Sequence, residues 1–125
     1  MPYVLKPVSD GSSVGVFVVM DEDDLKHVRY DDENIEILVE KFVEGKELTV
    51  ACIDGKAYVV TEIRPSVEFY DYKAKYTDGV TKHVLPAEIP DEVAEKCKQW
   101  AEILHKKMEC KSVSRIDVRY NAKDG

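Results

Sequence analysis

The chain has 125 residues, 44% apolar and 34% charged, enough for about one ordinary globular domain and too apolar for a disordered tail. Its 18 lysines and arginines against 25 acids leave a formal charge of −7, which argues against a general nucleic-acid binder. No stretch reaches the ~18 apolar residues of a membrane span, and Met1 to Lys6 lack the basic-then-apolar pattern of a secretory leader.

The charge is local. Residues 21–47 hold 11 acids and 4 bases, and the remainder is neutral. A polyanion gains nothing from such a surface, whereas a compact anionic ligand can still be held by a few placed cations. Cys52, Cys97 and Cys110 are odd in number and form no C-x-x-C, and the three histidines lack metal-ligand spacing. Reduced cysteines in a cytoplasmic protein are expected, with neither a disulfide framework nor a zinc site.

In chain order, Tyr3-Val4-Leu5 reads as a strand ending at Lys6-Pro7, and Ser9 to Ser13 as a small polar loop. Val14 to Met20 is apolar and β-branched, so it reads as the second strand of a hairpin-like pair. Asp21 is placed to cap a helix over about 22–30, with Asp23 and Asp24 suiting its dipole. Asp31 to Asn34 breaks the pattern. Ile35 to Val43 resumes as a strand, with Ile35, Ile37 and Val39 on one face. Past Gly45, Leu48 to Ile53 and Ala57 to Ile63 flank Asp54-Gly55, a strong hairpin turn.

Pro65 to Thr81 has no clear period, yet holds Phe69, Tyr70, Tyr72 and Tyr76 around Lys73 and Lys75. Loops of that length are uncommon unless functional or disordered. His83 to Leu85 reads as a short strand. Val93, Cys97, Trp100, Ala101, Leu104 and Met108 predict a helix over about 91–109 with those residues facing a core. Val113 to Tyr120 is a final strand, and Asn121 to Gly125 a turn. The whole predicts an α+β chain with mainly antiparallel sheet, and a composition break near Gly45 suggests two lobes.

Several residues fit chemistry as well as structure. Lys6, beside a glycine-serine loop, suits a phosphate, although its spacing is not a Walker motif and the loop also fits an ordinary turn. Glu40 and Glu47 flank Phe42, Val43 and Gly45. They read either as a solvated acidic face or as carboxylates that accept from a base amine and a sugar hydroxyl. Lys75 and Tyr76 fit either a functional loop or the surface. Arg115 and Asp117, two apart on an apolar strand, share one face. Charges on a buried strand face need partners, so the pair reads as a salt bridge or as an arginine for a negative transition state beside a metal-binding aspartate.

Five segments together resemble the D-alanine–D-alanine ligase family of the ATP-grasp superfamily. They are Val4-Leu5-Lys6-Pro7, Asp10 to Val16, Val39-Glu40-Lys41-Phe42 with Gly45 to Val50, Phe69 to Tyr76, and Ser114-Arg115-Ile116-Asp117. The resemblance covers essentially the whole chain. It implies an ATP-grasp fold of two α+β lobes, with residues 1–45 in the central lobe and 46–125 in the C-terminal lobe. It implies ligation of two D-alanines through an acyl phosphate for peptidoglycan synthesis, with ATP and magnesium or manganese. Another carboxylate–amine ligase of the superfamily, such as a depsipeptide-forming relative, and a non-catalytic nucleotide-binding module are the alternatives.

By the same resemblance, Lys6 and Lys75 would contact ATP phosphates, and Gly11, Ser12 and Ser13 would close over them. Glu40 would accept from the adenine amine, Lys41, Phe42 and Val43 would line the adenine, and Glu47 would hold the ribose. Ser12 and Tyr76 would lock the 66–81 loop over the substrates. Arg115 would stabilise the acyl-phosphate and tetrahedral species, and Asp117 would bind the metal. The family also has an N-terminal domain that holds the first D-alanine, and a further strand whose glutamate and asparagine complete the metal site. Neither has a counterpart here, so the chain is expected to be a fragment that is inactive alone. The resemblance implies small-molecule substrates, no nucleic acid and no membrane, and leaves a homodimer of the full-length enzyme open.

Overall fold

A computed structural model describes residues 1–65 and 81–123. Its first sheet has the order β2-β1-β3, from β1 (Tyr3–Pro7), β2 (Phe17–Val19) and β3 (Ile37–Lys41). Both pairings are antiparallel, with Val4 opposite Val18 on one side and opposite Glu40 on the other. The loop between β1 and β2 has Ser12, Ser13 and Gly15 at φ of 54°, 61° and 68°. A Cβ on Gly15 would sit 3.0 Å from Pro7 Cγ, so the loop returns tightly onto the end of β1. Tyr30 closes over it, its hydroxyl donating to Gly15 O at 3.1 Å and its ring meeting Phe17 edge-on at 5.5 Å.

The expected 22–30 helix is shorter. α1 spans Glu22–Leu25, with the Asp21 carboxylate accepting from the N–H groups of Asp23 and Asp24. Beyond it Lys26, His27 and Val28 donate to carbonyls three residues back, a tightened turn. No residue of α1 is buried, so no packed face extends the helix past its cap. The strand expected over 35–43 contracts to β3 because Ile35 N–H turns back to Asp32 O. Val39, on the face shared with Ile35 and Ile37, is 61% exposed. The strand expected from Val14 starts at Phe17, because Val14 and Val16 donate into the loop.

The second sheet has the order β6-β5-β4-β7, from β4 (Lys46–Ile53), β5 (Lys56–Pro65), β6 (Thr81–Val84) and β7 (Val113–Tyr120), all antiparallel. Asp54 (φ 49°) and Gly55 (φ 79°) make the two-residue hairpin that the sequence predicts. α2 (Asp91–Lys107) packs on one face. The core consists of Leu48, Val50, Ala57 and Val60 from the sheet with Cys97 and Ala101 from the helix, flanked by Val93, Ile116, Val118 and Tyr120.

The helix is rotated from its expected face. Cys97, Ala101 and His105 are buried, whereas Trp100, Leu104 and Met108 are exposed. Small side chains at 97 and 101 let the helix approach the sheet closely, and the bulkier row swings to its flank. His105 completes the buried row, its Nδ1 hydrogen-bonded to the Ser114 hydroxyl at 2.7 Å. Burial pushes the Cys52 and Cys97 thiols up, so both stay protonated and inert.

One buried charge anchors the helix side of this sheet. Glu62 is 4% exposed and accepts from Arg64 at 2.7 and 2.9 Å and from Lys46 at 2.9 Å. Lys46 also donates to Glu88 O, and Arg64 to the Glu88 carboxylate. Arg64, helped by Lys46, holds the Glu62 carboxyl down at about 2 against the opposing effect of burial. A depressed carboxylate stabilises the fold above its unfolded value, and that stabilisation is lost as pH falls towards the folded value. Chemical denaturation should therefore show stability declining from about pH 5 to pH 2. Glu62→Gln should flatten that decline and cost about 1–3 kcal/mol at pH 7. An unchanged profile would remove Glu62 from the account.

The two sheets are joined through residues 42–45. Gly45 has φ 126°, and a Cβ there would lie 2.2 Å from the carbonyl oxygen of Tyr120. No rotamer change relieves backbone contact, so Gly45→Ala should destabilise the chain by more than about 1 kcal/mol in urea unfolding. A neutral result would mean that the linker is free to lift off β7.

Candidate functional site

The candidate residues fall into three groups. The first lies on the β1–β3 pair. Lys6 stands opposite Leu38 and Glu40 opposite Val4, so the two charges are diagonal neighbours on one face, with Nζ 2.6 Å from Oε2. Both are partly exposed, which leaves them accessible to a ligand. The loop after β1 carries Gly11, with open space around its α-carbon, and the left-handed residues Ser12 and Ser13. Left-handed serines are strained, and such strain gathers where a loop is shaped for binding.

The second group is the linker. Glu40 and Lys41 end β3, Phe42 N–H donates to Pro2 O at 3.1 Å, and Val43 and Gly45 lead into β4. Arg119 of β7 reaches across this segment. Its Nε and Nη2 donate to Val43 O at 3.2 and 3.1 Å, and its Nη2 donates to Gly45 O at 3.1 Å. Glu47 is the register partner of Arg119, with Oε2 3.7 Å from Nη1.

The third group lies on the sheet face turned away from α2. Leu48 and Val50 point to the helix, so Glu47 and Thr49 point the other way, as do Arg115, Asp117 and Arg119. Arg115 and Asp117 share a face as their spacing predicts. That face is exposed, at 69% and 51%, not the buried one that the apolar strand suggested, because α2 takes Ile116, Val118 and Tyr120 instead. The Asp117 carboxylate accepts from Thr49 Oγ1 at 2.7 Å and from Arg115 at 3.1 Å.

The expected roles of Lys75 and Tyr76 and the expected lid over 66–81 lie outside the described residues, apart from Thr81 at the start of β6. Thr49 and Arg119 were missed by the reading of the sequence. Arg119 continues the Arg115, Asp117 alternation and was legible as a third charge on that face. Thr49 becomes visible only through its pairing opposite Asp117.

Among the described residues no group of three or more histidine, cysteine or acidic side chains could cage a metal. Asp117 offers one carboxylate. Such a donor suits magnesium held mainly by phosphates and water, not a dedicated protein cage. Two hollows lie apart from these groups. One of about 1000 Å³ includes Asp54, Glu102, His105 and Cys110, and one of about 280 Å³, lined by Val93, Trp100 and Val118, touches them only at Arg119.

The family model described as D-ala D-ala ligase C-terminus matches residues 1–125. A D-alanine–D-alanine ligase of Erythrobacter litoralis is 47% identical over 130 residues, covering 99% of this chain and 40% of that protein. The crystal structure of D-alanine–D-alanine ligase from Bacillus anthracis matches at 35% identity and a TM-score of 0.72, covering 98% of this chain and 40% of that one. The VanG D-Ala:D-Ser ligase of Enterococcus faecalis matches at 29% and 0.77, over 98% of this chain and 37% of that one. The chain thus spans about two-fifths of the length of the relatives it matches. With its antiparallel sheets placed as in an ATP-grasp fold, it belongs to the D-alanine–D-alanine ligase family, in the part described as the C-terminus.

Proposed function

We propose that this chain is the nucleotide-holding and phosphoryl-handling part of a ligase that joins two D-alanines at the cost of ATP. The observation that carries the reading is the pairing of Lys6 with Glu40, a cation beside a glycine-serine loop and an acceptor at the linker between two sheets. A nucleotide needs both, a cation for its phosphates and an acceptor for its base amine. We read residues 1–45 as part of the central lobe and 46–125 as part of the C-terminal lobe. The separate strand orders of the two sheets support that division.

In this reading Gly11, Ser12 and Ser13 close over the phosphates that Lys6 contacts. Glu40 accepts from the adenine amine, Lys41, Phe42 and Val43 line the base, and Glu47 accepts from the ribose. Lys75 and Tyr76 join from the 66–80 segment. A carboxylate and an amine at neutral pH form a salt, not an amide. Transfer of the terminal phosphoryl group to the first D-alanine carboxylate gives an acyl phosphate. The second D-alanine's amine attacks its carbonyl carbon, and phosphate leaves. In this reading Arg115 stabilises the negative charge that builds on these species. Asp117 would hold magnesium, which when bound supplies further charge neutralisation.

The dipeptide product suits peptidoglycan assembly in the cytoplasm. Among the described residues no helix is long and apolar enough to cross a membrane.

The test is a chimaera in which these 125 residues replace the matching part of the Bacillus anthracis ligase. It should release phosphate from ATP in a D-alanine-dependent way and form the dipeptide, whereas the 125-residue chain alone should form none. Lys6→Ala in the chimaera should raise the KM for ATP roughly ten- to a hundredfold, the worth of a charge-assisted contact, and move that for D-alanine far less. A folded chimaera, verified by its melting transition, that makes no dipeptide would overturn the proposal. So would failure of the chain to bind ADP in calorimetry.

A further inference from the structure

We infer that Arg119 is a positioning residue for nucleotide recognition, fixing the linker that carries the adenosine contacts to the strand that carries Arg115 and Asp117. The inference rests on the reading of residues 40–47 as the adenosine site. All three guanidinium nitrogens are engaged: Nε and Nη2 with Val43 O, Nη2 also with Gly45 O, and Nη1 facing Glu47. The two carbonyls belong to the segment between Glu40 and Glu47, and the carboxylate is that of Glu47 itself. One planar group thereby sets the direction of a carbonyl at position 43, the path of the chain at position 45, and the orientation of an acceptor at position 47.

The close approach of Gly45 to Tyr120 supports this independently. Contact of backbone with backbone fixes the separation of linker and β7, but leaves the linker free to pivot about it. The guanidinium fork removes that freedom. Lysine has a single point of donation and cannot span two carbonyls and a carboxylate in one plane.

The phosphates are assigned to Lys6, Lys75 and the loop after β1, and in the contacts given above Arg119 touches neither Lys6 nor that loop. The inference therefore demands a split between the two ends of the nucleotide. Calorimetry on the 125-residue chain, wild type, Arg119→Met and Arg119→Lys, would use ADP and inorganic tripolyphosphate as probes. Arg119→Met should weaken ADP by about tenfold or more, leave tripolyphosphate within about twofold, and not be rescued by Arg119→Lys. Amide exchange of residues 42–47 should accelerate in both variants while that of Val50 and Val60 stays as in the wild type. That pattern separates local positioning from general loss of stability.

Equal loss for both probes, or unchanged ADP affinity with unchanged exchange, would overturn the inference while leaving the nucleotide site standing. A wild-type chain that binds tripolyphosphate but not ADP, with faster linker exchange in Arg119→Met, would instead overturn the adenosine reading of residues 40–47. Arg119 would then be reduced to a structural tie.

Discussion

The passage from one sheet to the other depends on a place where backbone meets backbone. A side chain at Gly45 would enter the carbonyl of Tyr120, so the chain can lie against the end of β7 only because nothing projects there. That contact puts the linker within reach of Arg119, two residues beyond Asp117 on the same strand face. It also starts β4 at Lys46, which aligns Glu47 with Arg119 and Thr49 with Asp117. A one-residue slip would send Glu47 and Thr49 into the apolar face beneath α2 and bring Leu48 out of it. The polar face of the second sheet is thus set in register by a glycine that carries no chemistry.

The two sheets differ in what holds them together. The second has a packed helix, a continuous apolar core and a buried carboxylate with two cationic partners. The first contributes Val19 and Pro7 to the buried residues, while Val14, Val16, Leu38 and Val39 are exposed. Burial of apolar surface is the main favourable contribution to folding, so local stability is concentrated in the second sheet with α2. The elements assigned to the phosphates and the base stand on the less stabilised sheet. In the proposed reading, a nucleotide bridging it to the second sheet adds contacts where the fold supplies few, which couples binding to ordering.

Much of this was legible in the sequence, and the failures have a common cause. The Asp54-Gly55 turn, the limits of β7 and the order of elements follow from local chemistry: left-handed turn residues, alternation and proline or glycine breaks. The five family segments are legible because their residue types and order together resemble the family, whose model matches residues 1–125. What failed needed knowledge of a partner. Of the helix stripe, Cys97 and Ala101 face the sheet as expected, whereas the bulkier Trp100, Leu104 and Met108 are exposed, because small residues permit the closest approach. His105 reads as a lone polar residue until Ser114 is placed beside it. Arg115 and Asp117 were set against a buried face because Val113, Ile116 and Val118 make the strand around them largely apolar. Which face is covered is decided by α2, not by the strand. Arg119 lacked any local signal for the carbonyls of Val43 and Gly45, which lie more than 70 positions earlier in the chain.

The ion pairs of the chain divide by burial, and the division matches what each is asked to do. Glu62 is almost wholly inaccessible, and removing a partner would leave a charge in a poorly solvated place, so its contacts to Lys46 and Arg64 are structural. Lys6 with Glu40, and Arg115 with Asp117, are substantially exposed. Pairs of that kind are worth only about 0–1 kcal/mol, because water and salt already satisfy much of each charge. In the proposed reading, a phosphate arriving at Lys6, or a base amine at Glu40, therefore displaces little when it takes over one partner. Each of these side chains is held near its place by the other, so a ligand does not have to order a freely rotating chain. A tighter pair would resist exchange, and an unpaired lysine would lose more rotamer freedom on binding. Partial exposure on a strand pair lies between those limits, where an ion pair can keep a site in shape and still give way to the ligand.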